Sequence, residues 1–198
     1  MASRGWIASS LWLLCAALAG PLAAAEITLR DDGWYRWEVA AGAGGRDACC
    51  YEFRGGKITG AVGCRLGHGE DDLAAAENCE VGSDSMQVFV EVQNGRVQDI
   101  RALSSACPVS IAGDVRTMDD VSTADSIAWL IAQVDGSPRV AEDAIMALSF
   151  HTERQALDAL IGLVEDTGQR HDAREQALFW LVQTESDEAF AYLDRLLD

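Results

Sequence analysis

The last 60 residues of the chain contain a helical pattern that occurs twice, at a spacing of 33 residues. When the segment that begins at Val140 is placed over the segment that begins at Ala173, apolar and small residues come into register. The matched pairs are Ala144 with Ala177, Leu148 with Leu181, Ala156 with Ala189, and Leu160 with Leu193. A repeat of this length predicts a helical solenoid, in which each helix pair buries its apolar face against neighbouring pairs. Because solenoids present extended surfaces rather than clustered catalytic groups, the repeat favours an interaction protein.

Residues 1–25 predict an export signal that is removed from the mature protein. Arg4 precedes an almost wholly apolar stretch from Trp6 to Leu22, and Ala23 to Ala25 provide the small residues that signal peptidase accepts. An uncleaved membrane anchor is the alternative, since this stretch approaches the ~20 residues that a spanning helix needs. Gly20-Pro21 would interrupt such a helix. We therefore expect cleavage after the third alanine and a periplasmic or secreted protein.

The chain is strongly acidic, and the charge is concentrated in its second half. Removing the signal takes away one arginine and no acidic residue, so the net charge changes from −17 to −18. Residues 119–198 hold 17 acidic and 5 basic side chains, whereas residues 26–118 hold 15 and 9. Such a charge repels phosphate groups, which argues against nucleic acid and, once the signal is gone, against a membrane as partners. It suits a basic or exported partner protein, or else serves only to keep an exported protein soluble.

The five cysteines outside the signal all precede the repeat, and an oxidising compartment would pair them in disulfide bonds. They are Cys49, Cys50, Cys64, Cys79 and Cys107. Two bonds and one leftover thiol allow 15 arrangements, and we favour a bond from Cys64 to either Cys49 or Cys50. Closing the loop between Cys50 and Cys64 stabilises a small domain by about 3 kcal/mol. The leftover thiol offers a route to a homodimer.

Residues 26–118 predict a small, disulfide-bonded antiparallel β domain and residues 119–198 a short helical solenoid, so the expected fold class is α+β. The clearest β element is a hairpin of alternating apolar residues around Asn94-Gly95, because both residues tolerate the positive φ of a tight turn. A second strand is predicted from Trp34 to Val39. The stretch from Arg54 to Asp84 is rich in glycine and charge and is expected to form loops.

Five helices of about ten to thirteen residues are expected after Asp119. Ser122 or Thr123 can cap the first helix, because a side-chain oxygen there accepts a free backbone N–H. The second helix is expected to carry Pro138 in its first turn, where proline costs no hydrogen bond. The first helix has its apolar residues on one stripe, which comprises Ile127, Leu130, Ile131 and Val134.

The final helix pair resembles the HEAT-like repeats found in many bacterial proteins. The resemblance rests on the segments from Asp172 to Leu181 and from Ala189 to Leu197. The earlier unit, Val140 to Val164, departs from the pattern, because Ala141 stands where Arg174 supplies the arginine of the repeat. Clustered cysteines followed by such a tail also resemble the layout of exported bacterial proteins. The resemblance implies a scaffold or adaptor, and we expect no cofactor.

The ionisable residues do not form a catalytic set. The three histidines, His68, His151 and His171, share no spacing typical of catalytic or zinc-binding groups, so we expect no enzyme. A loop that contains His68 is the best metal candidate, since carboxylates and a flexible glycine-rich backbone suit calcium. A solvated acidic loop is the favoured alternative. The potential ligands in this loop are His68, Glu70, Asp71 and Asp72.

Two further candidate sites concern binding and redox chemistry. Glu188, Tyr192 and Arg195 on the last helix are expected to form an exposed interaction surface. Cys49 and Cys50 suggest the alternative function, that of a thiol-disulfide redox protein or sensor. Separate structural bonds are the favoured use of this pair, because it precedes a strand-like run and has no helix N-terminus to lower a thiol pKa.

Overall fold

The computed structural model describes residues 27–54, 56–67, 82–152, 154–184 and 186–197. Within them the chain has an α+β fold, as the sequence predicts. The strands are β1 (Gly33–Ala40), β2 (Cys50–Arg54), β3 (Lys57–Val62), β4 (Cys64–Leu66), β5 (Ser85–Gln93), β6 (Arg96–Ser104), β7 (Val109–Ile111) and β8 (Val115–Thr117). The helices are α1 (Ala43–Arg46), α2 (Thr123–Gln133), α3 (Pro138–Ser149), α4 (Arg154–Glu165), α5 (His171–Gln183) and α6 (Asp187–Leu197).

A four-stranded sheet in the order β6-β5-β1-β8 forms the centre of the β half. β1 pairs antiparallel with β5, and β5 pairs antiparallel with β6. The turn between β5 and β6 contains Asn94 with φ of 53° and Gly95 with φ of 67°, the left-handed conformation that both residues tolerate. The predicted hairpin and the strand from Trp34 to Val39 are therefore confirmed.

Most strand pairings of the β half are antiparallel, as expected, but two are parallel. β8 pairs in parallel with β1, and β4 pairs in parallel with β7. Residues 105–114 leave the end of β6 and return the chain to the opposite end of the sheet, so β8 runs in the same direction as β6 and β1. A crossover of this kind is required wherever two strands of one sheet run in parallel.

Part of the stretch from Arg54 to Asp84 forms strands, although loops were expected. β2 and β3 make a hairpin around Gly56, whose φ of 77° suits glycine. β4 begins at Cys64, whose N–H donates to the carbonyl of Pro108 at 2.8 Å. These short strands pair with neighbours that the periodicity of a glycine-rich sequence does not reveal. Residues 68–81 lie outside the described part of the chain.

The two faces of the central sheet belong to different clusters. Trp37, Val88 and Ile100 face the helices and share one buried core with residues of α2 to α6. Trp34, Phe89 and Leu103 lie in a second cluster, together with two cysteines and residues of β4 and β7. Alternation of side chains along each strand produces this division, because successive residues point to opposite faces. The predicted β and helical halves are thus joined by a common core.

The helices α2 to α6 form a consecutive array. Each helix contacts the next, and α2 also contacts α4, as α3 contacts α5. The Ser122 side chain accepts a hydrogen bond from the Asp125 backbone N–H at the start of α2, and Pro138 occupies the first turn of α3, as predicted. Seven of the eight repeat-matched residues named above are buried, and the eighth, Leu193, packs partly buried against the core.

One residue assigned to the core stripe of the first helix is misplaced. Ile131 is 37% exposed, whereas Ile127, Leu130 and Val134 are buried. Those three residues are spaced by three and four positions and cover the contact face of α2, so Ile131 lies at the border of the stripe.

A glycine-rich segment joins the sheet to the helices at the end of α3. The Gly42 N–H donates to the Phe150 carbonyl at 2.6 Å, and a Cβ at Gly45 would lie only 2.9 Å from the same oxygen. The short helix α1, which the sequence did not predict, packs in this position against α3, β5 and β6. Glycine is required here because the two backbones approach closer than a side chain permits.

Candidate functional site

Two disulfide bonds lie side by side at the edge of the β half. One joins Cys49 to Cys107 across 58 residues, and the other joins Cys50 to Cys64 across 14 residues. Cys50 begins β2, Cys64 begins β4, and Cys107 directly precedes β7. The parallel pairing of β4 with β7 brings the last two cysteines together. The sequence had left the partner of Cys64 open between Cys49 and Cys50, and Cys79 lies outside the described residues.

The sulfur atoms of the two bonds are in contact. Cys64 Sγ lies 3.7 Å from Cys107 Sγ, and the sulfurs of Cys49, Cys64 and Cys107 all lie within 4.8 Å of one another. Cys64 and Cys107 are buried at 1% and 5% exposure, whereas Cys49 and Cys50 are half-buried. The four cysteines therefore form an inner pair that is covered by protein and an outer pair that is partly accessible.

The outer cysteines line a groove of about 610 Å³ between the β half and the helices. Apolar side chains of α3 and α5 form the opposite wall, namely those of Met146 and Trp180, with Phe150 at the end of α3. We call this cavity the disulfide groove. Its volume and its mainly apolar and aromatic lining, with a few charged groups, lie within the range of ligand-binding clefts. The remaining lining residues are Gly44, Asp47, Ala48, Tyr51, Cys64, Arg65, Leu66, Arg101, Ala102, Leu103 and Gln183.

His151 belongs to a buried chain of hydrogen bonds. Trp37 Nε1 donates to Ser126 Oγ at 2.9 Å, and Ser126 Oγ lies 3.2 Å from His151 Nε2. The other ring nitrogen, Nδ1, donates to the Ala147 carbonyl at 2.9 Å. The histidine thus ties β1, α2 and α3 together, which is a structural role. By contrast, His171 is exposed and lies 3.2 Å from Glu175, one helical turn away.

A second polar cluster lies between β6 and α3. Arg101 Nη1 lies 3.6 Å from one oxygen of Asp143, and Arg139 Nε lies 4.0 Å from the other. The same two arginines reach Asp99 at 3.2 and 3.4 Å. Burial, together with the negative charge of Asp99, raises the pKa of Asp143 to about 6, although Arg101 opposes this effect. The cluster joins the two halves of the fold through a carboxyl group that titrates near neutral pH.

The expected surface on the last helix is only partly exposed. Tyr192 is 4% exposed, so its assignment to an exposed patch is wrong. It follows Ala189 by three residues on the buried stripe of α6, and burial, with the charge of Glu165, raises the pKa of its phenol. Glu188 is exposed and pairs with Arg154 at 2.9 Å, while the Arg195 guanidinium lies 5.8 Å from the Tyr192 ring.

The last two helices expose large apolar side chains that the sequence pattern did not single out. Phe179 is 54% exposed, Phe190 is 55% exposed and Leu197 is 87% exposed. We call the full set the end surface, and its members are Leu178, Phe179, Val182, Phe190, Leu196 and Leu197. The sequence signal that could have found it is the 33-residue repeat, because the helix pairs of such an array bury apolar faces against neighbouring pairs.

The end surface is exposed although the corresponding positions of the preceding helix pair are covered. At a shift of 33 residues, Leu178 corresponds to Ile145 and Phe190 to Leu157, and both earlier residues are buried. Val182 corresponds to the buried Ser149. The remaining counterparts are half-buried, namely Met146 for Phe179, Leu163 for Leu196 and Val164 for Leu197. The same helical positions are therefore covered in one pair and uncovered in the next.

The metal candidate of the sequence falls outside the described residues. His68, Glu70, Asp71 and Asp72 all belong to the segment 68–81. Within the described residues, the closest grouping of metal-ligand types is Cys49, Cys64 and Cys107, and all three of these sulfurs are engaged in disulfide bonds.

In the ranges that the structure describes, no helix combines the length and the apolar character needed to cross a bilayer. Comparison of the chain with protein-family models, with curated proteins and with solved structures found no match.

Proposed function

We propose that this chain is a non-catalytic exported scaffold or adaptor that binds another protein through an acidic helical-repeat surface. The observation that carries the proposal is the end surface, six large apolar side chains exposed on α5 and α6. Exposed apolar patches on soluble domains are typical of protein-protein contact sites. Aromatic residues such as Phe179 and Phe190 are suited to anchor such a contact.

The assignment of α3 to α6 as HEAT-like repeats belongs to the same proposal. It is supported by the 33-residue register, in which Ala144 and Ala177, and likewise Leu148 and Leu181, are all buried. In a repeat array each pair presents to the next a face shaped for a helix pair. The partner is therefore expected to place helical, apolar side chains on the end surface.

Charge indicates the chemistry of that partner. The exposed charged residues of α5 and α6 are mainly acidic, and Arg195 is an exposed exception. The acidic set comprises Asp172, Glu175, Asp187, Glu188 and Asp194. An apolar surface with an acidic rim favours a partner whose apolar anchors are surrounded by lysine or arginine, because opposite charges steer association. An exported location is supported by the two disulfide bonds, which persist in oxidising compartments.

A comparative pull-down from the exported fraction tests the proposal. The bait proteins are the unmodified chain, the double variant Phe179→Ser/Phe190→Ser, and the control variant Ile58→Ser, which removes a 61% exposed apolar residue from β3. We expect a partner that binds the unmodified chain and the control, is released by salt, and is lost from the double variant. Equal recovery by all three baits would contradict the proposal.

A further inference from the structure

The contact between the two disulfide bonds makes them one chemical unit. Disulfide exchange proceeds when a thiolate attacks a disulfide sulfur, so the sulfur released from one bond needs a second disulfide within reach. Breaking the bond from Cys50 to Cys64 releases Cys64, whose sulfur already lies 3.7 Å from Cys107. Breaking the bond from Cys49 to Cys107 releases Cys107, whose sulfur lies at that same distance from Cys64.

We propose that these four cysteines form a thiol-disulfide exchange centre that accepts one dithiol at the disulfide groove and yields adjacent thiols at Cys49 and Cys50, with a new bond between Cys64 and Cys107. This activity is separate from the binding function proposed above. It uses the half-buried outer cysteines as the point of entry and the buried inner cysteines as the site of the new bond.

The exchange balances in three steps. A thiolate of the dithiol attacks Cys50, forming a mixed disulfide and releasing Cys64 as a thiolate. That thiolate attacks Cys107, forming the new bond and releasing Cys49, which takes a proton from solvent. The second thiol of the reagent, as its thiolate, then attacks its own sulfur in the mixed disulfide, so the reagent leaves as a cyclic disulfide and Cys50 is protonated. The dithiol is oxidised by two electrons, and the protein is reduced by two.

Entry at the other outer cysteine gives the same product. Attack on Cys49 releases Cys107, which attacks Cys64 and releases Cys50. The product is therefore the same whichever outer cysteine is attacked, because it depends only on which two sulfurs are buried and which two are half-buried. Cys64 also borders the disulfide groove but is 1% exposed, whereas Cys49 and Cys50 are half-buried, so reduction places both new thiols at the more accessible cysteines.

Trypsin separates the relevant cysteines into three peptides, so mass spectrometry can show which cysteines are linked before and after the exchange. Residues 47–54 carry Cys49 and Cys50, residues 58–65 carry Cys64, and residues 102–116 carry Cys107. In the oxidised protein the first peptide is linked to both of the others. The protein is treated with one equivalent of dithiothreitol, trapped with N-ethylmaleimide, digested and examined by mass spectrometry.

We expect peptide 47–54 to gain two labels and lose both of its links, while peptides 58–65 and 102–116 become joined to each other. A peptide 47–54 that carries one label and stays linked to either of the others would overturn the proposal, since the two bonds would then be reduced independently.

Two variants complete the test. In Cys49→Ser/Cys107→Ser, which retains only the bond from Cys50 to Cys64, we expect one label on each of these two cysteines and no new link. In Cys79→Ser we expect the same double labelling of peptide 47–54 as in the unmodified protein. Loss of that labelling in Cys79→Ser would overturn the proposal, because the fifth cysteine rather than the inner contact would then carry the exchange.

Discussion

Replacing Asp143 with asparagine is expected to stabilise the protein at neutral pH and to leave its stability unchanged in acid. The Asp143 side chain is only 10% exposed, between α3 and β6, and burial raises its pKa from 3.8 to about 6. In the unfolded chain the carboxyl loses its proton near the ordinary value, whereas the folded protein holds the proton until about pH 6. The folded state therefore binds more protons between these values, and this residue's contribution to stability, complete below about pH 4, is lost as the pH rises through 6.

The size of the effect on the free energy of unfolding follows from the rise in the pKa of Asp143. A pKa rise from 3.8 to about 6 corresponds to about 3 kcal/mol at most, since one pKa unit is worth about 1.4 kcal/mol. Relaxation and water around the side chain screen such effects, so we expect about 1 to 2 kcal/mol at pH 7.5. Asparagine resembles the protonated acid in shape, and its amide group can donate to the neighbouring Asp99.

Urea denaturation followed by circular dichroism at pH 3.5 and pH 7.5 measures the effect. Asp143→Asn and the unmodified protein should have similar free energies of unfolding at the lower pH, and the variant should be more stable at the higher pH. Asp158→Asn serves as the control, because Asp158 is 60% exposed and also faces an arginine, Arg154, at 3.6 Å. A variant less stable than the unmodified protein at pH 7.5 would refute the reasoning, since the ion pairs to Arg101 and Arg139 would then outweigh the burial of the charge.

Three further substitutions address buried contacts, and each is measured by urea denaturation at pH 7.5. Ser126→Ala is expected to cost about 1 to 3 kcal/mol, because it leaves the Trp37 and His151 ring nitrogens without their shared partner in a buried site; no loss would show that this chain of hydrogen bonds is dispensable. Gly45→Ala is expected to cost about 1 to 3 kcal/mol, because the new Cβ would lie 2.9 Å from a backbone oxygen at the end of α3. An unchanged urea midpoint would show that the two backbones move apart at little cost in stability. Tyr192→Phe is expected to change stability by less than about 1 kcal/mol or to increase it, because the phenol oxygen is buried and makes no hydrogen bond with the described residues; a loss above that value would contradict its description as unpaired.

The elements that the sequence predicts well are those with local causes. The hairpin at Asn94-Gly95 depends on two adjacent residues, and the start of α2 depends on Ser122 and Asp125 within one turn. The burial of Ala177 and Leu181 follows from helical spacing alone. Each of these signals lies within a short window, so tertiary structure had little opportunity to override it.

The elements that the sequence did not predict depend on distant partners. The parallel pairing of β8 with β1 is set by the path of the intervening chain, which no periodicity encodes. The burial of Tyr192 is decided by which side of α6 meets the array, and the Asp143 cluster requires β6 and α3 to meet. The contact between Cys64 and Cys107 likewise follows from strand pairing, and the cysteine spacing therefore left several disulfide arrangements open.

The position of β1 within the sheet also has a consequence for the rate of folding. β1 is the first strand of the described chain, yet it lies in the interior of the sheet between β5 and β8. Its register pairs Trp34 with Glu91 on one side and with Val115 on the other, so both partners come more than fifty residues later. Pairings between distant segments slow folding, because the intervening chain must be ordered before the contacts form. During synthesis this sheet stays open until Val115 has been added, which is compatible with the export that we propose.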